Sequence, residues 1–217
     1  MLDRVGFAAV TKKGVGLPVA GTAFWIAASV VFYLVPPALA GLIVMVATGL
    51  VFPLGILISR LLKGDVLAKR PPLSDLGGIL AAVQLSYWPI IVLCYLVFPV
   101  WLPFVLAVLF GSHFLPYGWL YQSRGYYFLG IAVPVVAVVV ALLGPSVSHA
   151  FTAPATAAIY LVACVIVLKE VAALPPAAGA SQSDPPSAAS LTSASLVSLS
   201  PRGIPETRQV ASVPTAE

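Results

Sequence analysis

Polar positions in this chain fall in short clusters, and the runs between the clusters are apolar. Six runs are long enough to cross a bilayer, which takes about 20 residues: 17–35, 39–59, 76–98, 100–120, 127–144 and 151–168. The second reads LAGLIVMVATGLVFPLGILIS and the fifth YFLGIAVPVVAVVVALLG. Backbone N–H and C=O groups in hydrocarbon must be satisfied within their own segment, so runs of this length and density form helices. The expected fold is all-α, with six transmembrane helices over residues 17–170.

The polar clusters set the orientation. Arg4, Lys12 and Lys13 precede the first run, and Arg60, Lys63, Lys69 and Arg70 separate the second from the third. Arg124 separates the fourth from the fifth, and Lys169 follows the sixth. The other three connections, residues 35–38, 98–99 and 145–150, contain no Lys, Arg, Asp or Glu. All charge therefore lies on one side, which the positive-inside rule makes cytoplasmic, and both termini are expected there. Ala38-Leu39-Ala40 resembles a signal-peptidase site. The run before it is long for a signal peptide, however, and cleavage would leave the second run at the new N-terminus. Residues 1–16 read as a basic leader lying on the inner leaflet. The loop 60–75 suits anionic headgroups as well as topology. Residues 171–217 are rich in Ala, Ser and Pro and lack aromatics, so they read as a disordered cytoplasmic tail.

Composition agrees with a membrane protein. Hydrophobic residues make up 60% and charged residues 8%, with a mean hydropathy of +1.05, far from soluble domains. The excess of 11 Lys+Arg over 7 Asp+Glu is not gathered on a soluble face, so the expected partner is the lipid bilayer and not nucleic acid. Cys94 falls near the outer end of the third run and Cys164 near the inner end of the sixth, so they are expected to stay unpaired.

One side chain stands out against this background. His113 lies in GSHFLPYGWLYQS, residues 111–123, within the fourth run. The third run travels the opposite way, so Gln84 reaches a similar depth, each roughly 10 Å from the charged end. His113, Tyr117 and Tyr121 are four apart and share a helix face, as do Gln84 and Trp88. Pro116 offers no N–H to the carbonyl of Ser112, nor Pro89 to that of Leu85, so each helix is expected to kink near this level. Gln84, Trp88, Ser112, His113 and Tyr117 are thus the candidate ligand-binding residues, lining a small pocket open to the cytoplasm. Such a site would take a small neutral or weakly polar solute, or respond to pH through the imidazole. The alternative makes the protein a non-transporting partner subunit or sensor in which His113 is an interhelical clamp or a pH switch, with Tyr117, Trp119 and Tyr121 as an aromatic belt. His149, in the outer connection between the fifth and sixth runs, reads as exposed.

Small residues one turn apart, Gly77 with Ala81, Gly78 with Ala82 and Ala153 with Ala157, are expected to let helices approach closely. Pro53 and Pro134, each with a glycine four residues earlier, fit two inverted halves of three spans. No carboxylate lies within any run, no Ser/His/Asp set falls at one depth, and the two histidines sit far from each other. No catalytic residues, metal site or cofactor are therefore expected, and the chain does not read as an enzyme.

Gly111 to Tyr121 spell G-x-H-F-x-P-Y-G-W-x-Y. Together with Gln84 to Pro89 and the opening Lys13-Gly14, Ala20-Gly21 and Phe24-Trp25, this run resembles a family of small bacterial multi-pass membrane proteins of unknown function. The similarity covers about residues 10–170 and leaves the serine-rich tail outside. It implies a bacterial inner-membrane protein and no particular reaction.

Overall fold

A computed structural model describes residues 3–174. The expected tail falls almost wholly outside that range. Among the described residues the structure is all-helical, and six helical stretches are long and apolar enough to cross a membrane. They correspond one for one to the six apolar runs.

Helix α1 spans Arg4–Thr11, and a 3-10 turn at Lys12–Gly14 joins it to α2, Gly16–Leu34. α3 runs Pro37–Leu61, with Pro36-Pro37 fixing its start. The third span is broken into α4, Leu73–Val83, a 3-10 turn at Gln84–Tyr87, and α5, Trp88–Val97. The fourth is broken as well, into α6, Leu102–Ser112, and α7, Leu115–Leu120. α8 covers Arg124–Leu142 and α9 Pro145–Ala172.

Both ends depart from the apolar pattern. The described part of the basic leader, residues 3–14, packs against the bundle. Phe7, Ala8, Ala9 and Thr11 of α1 are buried, and Phe7 stacks on Tyr121 at 5.9 Å between centroids. The apolar stretch Phe7-Ala8-Ala9-Val10 has a protein surface to bury, and the left-handed backbone of Lys12, Lys13 and Gly14 turns it back onto that surface. The sixth span begins six residues early: Gly144, at φ 109°, ends the preceding turn and Pro145 opens α9. His149 therefore sits in helix and not in an exposed loop. It is half-buried, with Nδ1 3.3 Å from the Val100 carbonyl and its ring edge-on to Phe32.

The spans are unequal in burial. α2, α6, α8 and α9 form the core, with Trp25, Leu102, Leu106, Leu129, Val133 and Ala163 almost fully enclosed. Close packing depends on Gly111, where an added Cβ would lie 2.6 Å from Val133. α3 packs along α2, and α5 packs between α3 and α6. The first half of the third span is different. α4 buries only Leu73 and touches α7 across the tertiary interface. Gly78 and Ala82, expected at a helix contact, face open space instead: Gly78 has nothing within 4 Å of where a Cβ would stand, and Ala82 is exposed. A seam thus separates α3 from α4. Pro53 and Pro134 leave α3 and α8 continuous. The two breaks fall in spans three and four, which are not equivalent members of two halves of three.

The charged connections meet at one end. The Asp65 amide donates to the Val10 carbonyl at 3.0 Å, tying the loop between spans two and three to α1. Arg4 lies over the Trp119 ring at 4.6 Å and donates to its carbonyl at 3.2 Å.

Candidate functional site

The site grows out of the two helix breaks. Pro89 and Pro116 each occupy the second position of a new helix, where a missing N–H costs nothing. The carbonyls one turn earlier lose their ordinary donors, and the chain passes through tighter geometry: the Phe114 amide donates to the Gly111 carbonyl at 3.1 Å. Gln84 sits in the break of span three, and His113 sits in the break of span four.

Both side chains line one cavity of about 90 Å³. Its walls are mostly aromatic, from Phe24, Trp25, Phe52, Phe110, Phe114, Tyr117 and Tyr160. His113 is 7% exposed. Its ring stands edge-on to Tyr117 at 5.2 Å, Phe114 at 5.8 Å and Tyr87 at 6.4 Å. Among the described residues neither the imidazole nitrogens nor the Gln84 amide has a hydrogen-bond partner, and the two are not bonded to each other. The Tyr117 hydroxyl donates to the Gly77 carbonyl at 3.3 Å, and Thr48 donates to the Met45 carbonyl of its own helix.

Of the five residues selected from sequence, Gln84, His113 and Tyr117 are brought together around this chamber. Trp88 lines an adjoining chamber with Gln84. Ser112 is not part of the lining: its hydroxyl donates to the Leu109 carbonyl of its own helix at 3.2 Å. Tyr121 stacks on Tyr117 at 6.0 Å and is buried, so it is no belt residue, whereas Trp119 is 44% exposed.

Sequence reasoning missed Trp25 and Tyr160. They come from spans one and six and meet behind His113, their rings 6.4 Å apart, with the Tyr160 hydroxyl beside the Trp25 indole. Gly21 makes room for the Tyr160 ring, which a Cβ would strike. The one available signal was that Gly21 and Trp25 stand four apart on a helix face.

A second polar cluster, also missed, closes the charged end. Lys13 is bonded to Glu170 at 3.0 Å, and its ammonium also donates to the Gln122 carbonyl at 3.0 Å. Glu170 turns its other oxygen to the amides of Arg124 and Gly125, at 2.8 and 3.3 Å, and so caps the start of α8. Tyr126 donates to the carbonyls of Lys13 and Gly14. This cluster joins the first, fifth and sixth spans, and the Tyr126 ring connects it to the chamber wall, stacking on Phe114 at 5.7 Å and lying 6.2 Å from the Tyr117 ring.

No curated protein and no solved structure matches the chain. A family of unknown function, DUF7010, matches residues 4–170, which takes in all six spans and both helix breaks. The chain belongs to that family.

Proposed function

We propose that this multi-pass membrane protein binds a small neutral ligand in the chamber between Gln84 and His113, as a carrier or binding protein and not as an enzyme. One observation carries the reading. Two polar side chains on neighbouring spans converge on an apolar, aromatic chamber and take no partner from the fold. His113 is 7% exposed, and a buried polar group left unsatisfied costs about 1–3 kcal/mol, so a residue chosen only for stability there would be apolar. Gln84 is half-buried and lines the same chamber, where the two side chains offer hydrogen bonds to a ligand or to water. Tyr160, Trp25 and Tyr117 complete the set of hydrogen-bonding groups around it.

In the orientation that the positive-inside rule favours, both termini and the Lys13–Glu170 cluster face the cytoplasm, in a bacterial inner membrane. Fusing a reporter active only in the cytoplasm to either terminus tests this; activity at one end alone sinks it.

The second reading keeps His113 as an interhelical clamp in a partner subunit or sensor, and its edge-on contacts with Tyr87, Phe114 and Tyr117 favour it. His113→Phe separates the two. Phenylalanine keeps the aromatic packing and removes the unpaired polar atoms, so the binding reading expects an unchanged or higher melting temperature in detergent. A fall of more than about 4 °C, equivalent to at least 1 kcal/mol for a domain of this size, supports the clamp instead.

A further inference from the structure

The His113 chamber does not stand alone along the seam between α3 and the third span. A cavity of about 480 Å³ adjoins it toward the charged end, sharing Leu17, Phe52, Ala81 and Tyr117 and rimmed by Lys69, Ser74 and Asp75. Toward the other end lies a chamber of about 340 Å³, which shares Thr48, Phe52, Ala81, Gln84 and Phe110 and is completed by Gly49, Ala82, Leu85 and Trp88. Resting on the binding reading above, we infer that the His113 chamber takes the neutral carbonyl or hydroxyl head of a single-tailed membrane lipid, admitted sideways between α3 and the 3-10 turn at Gln84–Tyr87, with its tail in the chamber of Gly49 and Trp88.

Charge decides the head. Among the described residues, no Lys, Arg, Asp or Glu lines either the central or the outer chamber. An ionised head would be stripped of water there without a counter-ion, at a cost far above that of a neutral group. An imidazole and an amide each donate and accept, which matches a carbonyl or a hydroxyl. Size decides the tail. The central chamber of about 90 Å³ holds the volume of roughly three waters at about 30 Å³ each, enough for a head alone. The outer chamber, about 340 Å³, lies within the usual range of ligand pockets, about 300–1,000 Å³.

The route follows from the walls. Leu85, at the outer chamber's edge, is 70% exposed on a face that the apolar span turns to lipid. Gly49 has nothing within 4 Å of where a Cβ would stand, so the seam is open beside it. The rival route, through the cavity rimmed by Lys69 and Asp75, passes charge and suits a water-soluble ligand.

The test uses the full chain in phosphatidylcholine bilayer discs and follows its melting temperature. 2-Hexadecanone supplies a carbonyl head and farnesol a hydroxyl head, and which of the two acts identifies the source. Hexadecane supplies no head, and palmitate a charged one. A rise of about 4 °C is expected with 2-hexadecanone or farnesol at saturating dose and none with hexadecane or palmitate. Gly49→Leu fills the open seam and should abolish the shift; Ala82→Leu plugs the same chamber and serves if the first fails to fold. Gly78→Leu, which fills the charged-end cavity instead, should leave the shift intact. The inference is overturned if palmitate or hexadecane stabilises equally, if Gly78→Leu is the plug that acts, or if no probe shifts the transition. In that last case a His113→Phe variant as stable as the parent keeps the binding reading alive, whereas an unstable one removes both.

Discussion

Glu170→Ala should be among the most damaging single changes at the charged end, and the size of the loss follows from what Glu170 holds. Its carboxylate satisfies the Lys13 ammonium and two amides at the start of α8. The Lys13 side chain is 8% exposed and that of Glu170 19%, so water replaces little of what is removed. Breaking a buried pair by deleting one partner costs about 3–5 kcal/mol, because the other charge is stranded. Lys13 keeps the Gln122 carbonyl, which places the loss near the lower end, about 3 kcal/mol. Roughly 1 kcal/mol of it is the helix cap. Lys13→Met combined with Glu170→Ala removes the stranded ammonium and leaves chiefly the cap to lose. The double variant should therefore be more stable than Glu170→Ala by about 2 kcal/mol, and the coupling, which also subtracts the cost of Lys13→Met alone, should be at least that large. Equilibrium unfolding by SDS in mixed micelles, followed by tryptophan fluorescence, measures all four corners of the cycle. Additive losses, or a Glu170→Ala cost below about 0.5 kcal/mol as for an exposed pair, would refute the reasoning.

Three further outcomes are expected from the same unfolding assay. Tyr126→Phe leaves the carbonyls of Lys13 and Gly14 without their buried donor and should cost about 1–3 kcal/mol. Gly21→Ala drives a methyl into the Tyr160 ring and should cost about 1–3 kcal/mol, with Gly21→Ala/Tyr160→Leu recovering part of it. Arg4→Gln removes the cation over Trp119 and a bond to its carbonyl; a loss of about 0.5–1 kcal/mol fits an exposed cation–π contact, and a larger one would mean that Arg4 is buried by something more.

The spans were legible because hydrocarbon leaves a segment of about 20 residues one way to satisfy its backbone. Their ends were less so. Pro145 to Ala150 reads as a loop by composition, yet Ser148 bonds to Thr152 within the helix and His149 finds the Val100 carbonyl, so tertiary contacts carry polar residues that composition assigns to water. α1 is eight residues, too short to stand by propensity, and it forms because Phe7 has Tyr121 to lie on. Half of the chamber was readable because spans three and four are neighbours in sequence and run antiparallel. Trp25 and Tyr160 were not, since a uniformly apolar helix gives no sign of which distant helix its faces will meet.

Proline alone does not mark the site. α3, α8 and α9 carry Pro53, Pro134 and Pro154 and remain unbroken, and the nearby hydroxyls of Thr48 and Thr156 are taken up by carbonyls of their own helices. Spans three and four break, and in each the residue in the break is polar: Gln84 five positions before Pro89, His113 three before Pro116. A break frees carbonyls and shifts the helix axis, which costs stability in a medium that supplies no water to compensate. Two such breaks at one level, on adjacent spans, with their polar side chains facing one chamber, are more than chance placement of two prolines explains. The loosely held α4 beside them gives the arrangement its consequence. The half-span that ends at Gln84 buries only Leu73 and has its main tertiary contact with α7, so the part of the chamber wall it supplies is packed more sparsely than the core formed by α2, α6, α8 and α9.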